Sequence, residues 1–148
     1  MRSLQLSVRA AHVDADTAYD TISRFERFTE VADDVRPLRV RRAGADLPAE
    51  SDWEAHFPDG VMTWTQVDYC QSHRRTVVFE QISGDFDVFR GSWRVEPDGD
   101  GCEVRFEATF DFGTSTLAGL LEQVAVPVLR RGIEVAVQRL LFTYVEYV

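Results

Sequence analysis

The sequence predicts an α+β chain: a curved antiparallel sheet of about seven strands wrapped around a long C-terminal α-helix, with two short helices after the first strand. Three observations predict it. Six β-rich segments follow one another with only turn-forming links between them, which reads as an antiparallel meander. An early segment switches to a helical period, and the last thirty or so residues keep that period to the end. One domain over residues 1–148 is expected, long enough to bury a sizeable core.

The elements follow in order. "SLQLSVRAAHV" alternates as a first strand from Ser3 to Val13. In "DADTAYDTISRFERF", Ala15, Ala18, Tyr19, Ile22 and Phe25 recur at helical spacing, with Asp14 or Asp16 as the N-cap. "ERFTEVADDV" adds a further helical turn or two before Val35, and Pro37 then favours extended chain. The strands "RPLRVRR", "SDWEAHF", "VMTWTQVDYC", "RTVVFEQI", "DVFRGSWRV" and "CEVRFEATFDF" are separated by "AGADLPAE", "PDG", "QSHR", "SGD" and "PDGDG". Cys102, Val104, Phe106, Ala108, Phe110 and Phe112 share one face of the last strand, and Phe89, Gly91, Trp93 and Val95 one face of the strand before it.

That apolar face needs a cover. Leu117, Leu120, Leu121, Val124 and Val128, then Leu129, Ile133, Ala136, Val137, Leu140 and Tyr144, supply it on one helix. Pro127 removes a hydrogen bond inside that helix and Gly132 loosens the same region.

Composition narrows the function. Sixteen Lys and Arg against 25 Asp and Glu give a formal net charge of -9, which repels phosphate backbones and anionic membranes, so nucleic acid is not an expected partner. The first ten residues hold too short an apolar segment for a signal peptide, and no 18-residue uncharged apolar run occurs, so a cytoplasmic location without membrane insertion is expected. Cys70 and Cys102 lie in strands with no His or second Cys pair at ligand spacing, so they read as reduced structural thiols rather than zinc ligands. The acidic clusters lack the twelve-residue calcium loop, and no phosphate-binding glycine loop or G-x-S-x-G turn occurs. No metal and no cofactor is expected.

The candidate site is a row on one strand. Met62, Trp64, Gln66 and Asp68 fall on one face of "VMTWTQVDYC", running from apolar to aromatic to amide to carboxylate. Asp68 has three readings: a strand end in water, a pocket acid or base, or an ion pair with Arg74, Arg75 or Arg90. Gln66 and Gln81 are amides that need partners if buried, and a polar ligand would serve. Trp64 and Trp93 read either as core or as ligand-stacking walls. His56 shares its strand face with Asp52 and Glu54, which points it outward, and His12 and His73 fall at a strand end and in a turn.

This order of elements resembles the helix-grip fold of the START-like superfamily, which includes polyketide aromatase/cyclases, lipid-transfer domains and coenzyme-Q-binding proteins. "SRFERFTEVADDV" is similar to the loop where the cyclases carry an aromatic such as Phe28. "DGVMTWTQVDYC" with "RRTVVFEQI" resembles their tryptophan-bearing strand and its neighbour, Trp64 matching in place. "GDFDVFRGSWRVEPDGDGCEVRFEATFDFG" resembles the hairpin shared with the coenzyme-Q-binding proteins, Trp93 included. The resemblance implies an internal cavity for a hydrophobic small molecule, delivered in the cyclase case by an acyl carrier protein. It implies a cyclase or aromatase, with dehydration as a further step, and alternatively a non-catalytic carrier of an isoprenoid quinone or lipid.

Two departures qualify it. An arginine expected two positions past Gln66 is Asp68 here, and Val35 lacks the phenol found in some relatives. A carboxylate cannot polarise a ketone as a cation does, but it can act as a general base if an apolar pocket raises its pKa. The catalytic candidates are therefore Asp68 and Gln66, with Phe28, Val35, Met62, Trp64, Gln81, Phe89 and Trp93 shaping the substrate site. A protein-binding module is the third class, and no apolar patch beyond the needs of the helix-sheet core is evident for it.

Overall fold

A computed structural model of the chain describes residues 1–30, 32–44, 47–57, 60–113 and 116–146, leaving aside the side chains of 29–30, 116–123 and 142–146. The elements are β1 (Arg2–Ala10), α1 (Ala15–Ser23), a 3₁₀ helix (Phe25–Glu30), β2 (Val35–Arg42), β3 (Ala49–Phe57), β4 (Gly60–Gln71), a short 3₁₀ turn (Ser72–Arg74), β5 (Thr76–Gly84), β6 (Val88–Asp98), β7 (Gly101–Asp111) and α2 (Thr116–Glu146). The seven strands form one antiparallel sheet in the order β1-β7-β6-β5-β4-β3-β2. This is the curved antiparallel sheet and long C-terminal helix of the helix-grip fold. The expected positions Leu117, Leu120, Leu121 and Tyr144 have side chains outside the described set, as do Val31 and the turn residues 45–46 and 58–59.

Local chemistry sets the boundaries. The first strand stops at Ala10, short of Val13, because the chain turns through His12 in a left-handed conformation at φ 66°. Asp14 then caps α1, its carboxylate accepting from the Thr17 amide at 2.9 Å and the Thr17 hydroxyl at 2.6 Å. The second short helix is a 3₁₀ helix, whose three-residue repeat eclipses Phe25 and Phe28 on one side and buries both.

The core lies between the sheet and α2. The helix lays Ala125, Leu129, Ile133, Ala136, Val137 and Leu141 on it, all buried. The spacing places Leu140 in that stripe, but Leu141 takes the position and Leu140 sits at its margin. Pro127 faces outward, so its missing hydrogen bond falls on the water side. Gly132 lets the helix close on β2: a Cβ there would lie 2.7 Å from Val35 Cγ2.

The register shifts once beside the candidate row. Thr65 pairs with Ser83 but Gln66 with Gln81, leaving Ile82 as an extra, bulged residue that is exposed. Gly84, at φ 145°, then folds β5 over Trp64, where a Cβ would lie 2.5 Å from the Trp64 Cα. On the outer face, Val61, Tyr69, Val78 and Ile82 are exposed apolar side chains, more outward hydrophobic surface than the alternation alone suggests. Among the described residues no helix is long and apolar enough to cross a membrane.

Candidate functional site

Trp64, Gln66 and Asp68 occupy the inner face of β4, and on β3 their partners across the ladder are Trp53, Ser51 and Ala49. The two strands thus bring two indoles, a hydroxyl, an amide and a carboxylate into one patch. The three polar members are almost completely removed from water, Ser51 at 0%, Gln66 at 3% and Asp68 at 1% exposure. Buried polar groups on this scale require partners, and these find them in one another. The Trp53 indole N–H donates to Ser51 Oγ at 2.7 Å, and the Ser51 hydroxyl donates to Asp68 Oδ2 at 2.6 Å. The Trp64 indole N–H donates to Gln66 Oε1 at 2.9 Å, and Gln66 Nε2 donates to Asp68 Oδ1 at 2.6 Å. Asp68 is the centre on which both branches converge.

Of the three readings of Asp68, water exposure fails because β4 continues past it to Gln71, with Ala49 and Phe79 flanking it. Its hydrogen-bond partners are Ser51 and Gln66, not the arginines at 74, 75 or 90. Burial pushes its pKa up to about 6, while the bonds from Ser51 and Gln66 and the charge of Arg42 pull the other way. Arg42 helps only from a distance, since its guanidinium is held by Glu26 at 2.9 Å and by the Ser23 carbonyl at 2.9 Å.

Beside this network lies an apolar cavity of about 20 Å³, room for about one water. Its walls come from β1 (Leu4), β2 (Val35), β3 (Trp53), β4 (Trp64, Gln66), β5 (Phe79), β6 (Phe89, Trp93), β7 (Phe106, Ala108) and α2 (Leu129, Ile133). Gln66 is the one amide among them, and among the described residues no charged side chain is part of the wall. The rings pack closely: Trp53 and Trp64 stack at 6.3 Å between centroids with planes 9° apart, and Trp64 meets Phe89 at 4.9 Å.

The candidate residues thus divide by position. Val35, Trp64, Gln66, Phe89 and Trp93 line the cavity. Asp68 stands behind Gln66. Phe28 is a second layer, packed edge-on against Trp53 at 5.9 Å and Trp93 at 5.8 Å. Met62 is core and does not reach the wall. Gln81 is turned aside by the bulge, its Nε2 donating to the Phe86 carbonyl at 2.7 Å. Residues that the sequence reading did not assign to the site are Ser51, Trp53 and Phe79, and Leu129 and Ile133 were read there only as helix cover for the sheet. Trp53 and Phe106 were visible as inward members of their strands. Ser51 carries no signal of its own until the register sets it opposite Gln66.

Burial raises the Cys70 thiol, which keeps it protonated, and burial followed by the neighbouring Cys70 pushes the Tyr19 hydroxyl up to about 12. His56 lies on the outer face with Glu54 Oε1 at 3.0 Å. Among the described residues no group of three or more His, Cys, Asp or Glu could hold a metal ion.

Comparison with known proteins gives the family and the fold. Residues 12–135 match the family described as polyketide cyclase/dehydrase and lipid transport. No curated protein matches the sequence. Among solved structures, a Thermus thermophilus protein superposes with a TM-score of 0.80 at 17% identity, covering 94% of each chain. The Zhui aromatase/cyclase from Streptomyces superposes at 0.69 with 14% identity over 93% of this chain and 94% of that one. A STAR-related lipid transfer protein from Xanthomonas axonopodis superposes at 0.72 with 16% identity over 95% of this chain and 86% of the fragment solved. At these identities the solved structures speak for the fold alone.

Proposed function

The chain belongs to the polyketide cyclase/dehydrase and lipid transport family, and we propose that within it the chain acts as a polyketide cyclase or aromatase. The observation that carries this reading is the buried Asp68 carboxylate beside Gln66, the one amide among the described residues of an apolar cavity wall. Keeping Asp68 ionised at neutral pH, against a pKa pushed up to about 6, costs the fold about 3 kcal/mol. A wall built only to hold an apolar molecule has no use for that cost, whereas a base of this strength suits proton removal near neutrality.

In this reading a polyketone lies among Trp53, Trp64, Phe89 and Trp93. The Gln66 amide donates to a ketone oxygen, and the substrate extends past Gln66 towards Asp68. Asp68 takes the acidic proton from the carbon between two ketones. The resulting enolate carbon forms a bond to a distant carbonyl carbon, whose C=O π electrons become an alkoxide, and the proton held on Asp68 returns to that oxygen. Loss of water from the aldol then leads towards an aromatic ring. Most of the acceleration comes from folding the chain into one reactive conformation.

Entry requires more space than about 20 Å³, and in this reading the α2 side of the wall, Leu129 and Ile133, moves to admit the substrate. Delivery of the chain by an acyl carrier protein is part of the proposal.

A carrier of a hydrophobic small molecule is the second reading. It is favoured by the two Asp68 oxygens being already engaged and by their lying behind the wall. Metabolite profiling of the producing organism with and without the gene separates the two. A shift from a cyclised product to misfolded shunt polyketones supports the cyclase. An unchanged profile of such products removes it in favour of the carrier.

A further inference from the structure

The indole N–H groups fix the direction of the outer bonds of the buried network, and an ionised Asp68, which can only accept, fixes the inner ones. An indole N–H can only donate. The Gln66 atom 2.9 Å from Trp64 Nε1 is therefore the carbonyl oxygen, which leaves the NH₂ end facing Asp68. Ser51 Oγ likewise receives the Trp53 N–H, so its own proton is free for Asp68. Both branches thus deliver hydrogens to Asp68, the arrangement a carboxylate requires and a carboxylic acid does not. One hydrogen of Gln66 Nε2 is left over, on a side chain that lines the cavity.

We propose that Ser51 and Trp53 are positioning residues that hold Asp68 as a carboxylate and thereby keep the N–H end of Gln66 available, making the cavity selective for ligands with a carbonyl oxygen. This rests on the cavity being the ligand site. Neither Ser51 nor Asp68 touches the ligand in this role. Both act through the orientation of one amide.

The consequence of breaking the relay follows from the same bookkeeping of donors. Without the Ser51 hydroxyl, Asp68 Oδ2 loses a donor that favours its charged form, and the carboxylate takes up a proton more readily. The charged or titratable groups facing it are Arg42 from β2, occupied by Glu26, and Cys70 along its own strand, while its flanking residues Ala49 and Phe79 carry no charge. A protonated Asp68 still accepts from Gln66 Nε2 at Oδ1, but a neutral acid holds that amide less strongly than a carboxylate does. The second N–H of Gln66 is then aimed less firmly at the ligand.

The test compares two ligands of nearly the same ring shape, 1-tetralone with its ketone and tetralin without it. Dissociation constants are measured by equilibrium dialysis at neutral pH for the wild type, Ser51→Ala and Trp53→Phe. The expected result is that the preference for tetralone over tetralin falls about tenfold in Ser51→Ala, the scale of one hydrogen bond, with tetralin affinity unchanged. Trp53→Phe, which keeps the Ser51 hydroxyl but removes its fixed donor, shifts the ratio in the same direction. It decides the question alone if Ser51→Ala does not fold. Equal weakening of both ligands, or an unchanged ratio, overturns the positioning role while leaving the cavity reading in place. If neither ligand binds the wild type, the cavity reading fails and the proposal fails with it.

Discussion

Asp68 is buried with two neutral donors rather than with a cation, and that choice has a measurable pH signature. Its folded pKa of about 6 stands above the ordinary value of 3.8. Between those values the folded state holds a proton that the unfolded chain has released. Stability from this group is therefore complete below about pH 4, is lost as pH rises to about 6, and is flat above, a total of about 3 kcal/mol. Asp68→Asn lacks this titration. Urea unfolding of both proteins from about pH 4 to about pH 7 should show the wild type losing that amount relative to the variant; parallel curves would remove the raised pKa. Ser51→Ala leaves the Trp53 N–H and Asp68 Oδ2 without partners at full burial. It should cost about 1–3 kcal/mol in the same assay.

Elements meet most tightly where glycines allow it. Gly132→Ala places a methyl 2.7 Å from Val35 Cγ2, so α2 must lift from the start of β2, at an expected cost of about 1–3 kcal/mol. Gly84→Ala should cost more, since its Cβ meets the Trp64 backbone at 2.5 Å and its φ of 145° is strained for any other residue. Thermal unfolding of the two variants orders them. The strands were readable from period-two alternation because each has one face in the core, and Trp64, Gln66 and Asp68 could be placed on one row for that reason. The relay was not readable, because Ser51 meets Gln66 and Asp68 only through the β3–β4 register, which no single strand encodes. Gln81 illustrates the same limit: its parity agrees with the inner face, but the bulge at Ile82 redirects its amide to the Phe86 carbonyl. The volume of the cavity depends on how Phe79, Phe106, Leu129 and Ile133 interdigitate, which periodicity does not report.

At the scale of the whole molecule, a sheet covered by one long helix leaves a small space whose wall includes the α2 side chains Leu129 and Ile133. Ile133→Ala removes one of them. It should destabilise the fold by about 2–5 kcal/mol while enlarging the cavity, and 1-tetralone should bind this variant faster than the wild type in stopped-flow mixing. The central claim is that the space is a reaction vessel with Asp68 as its base. The most direct measurement is single-turnover cyclisation of a free poly-β-ketone by the wild type and Asp68→Asn across pH, alongside the dissociation constant of each. The prediction is a wild-type rate that rises through about pH 6 to a plateau, a loss of about 10²-fold or more in Asp68→Asn, and binding weakened by no more than about tenfold, the scale of one oriented hydrogen bond. Equal product distributions and rates with wild type, with Asp68→Asn and without protein would contradict it and leave a carrier whose buried carboxylate only orients Gln66.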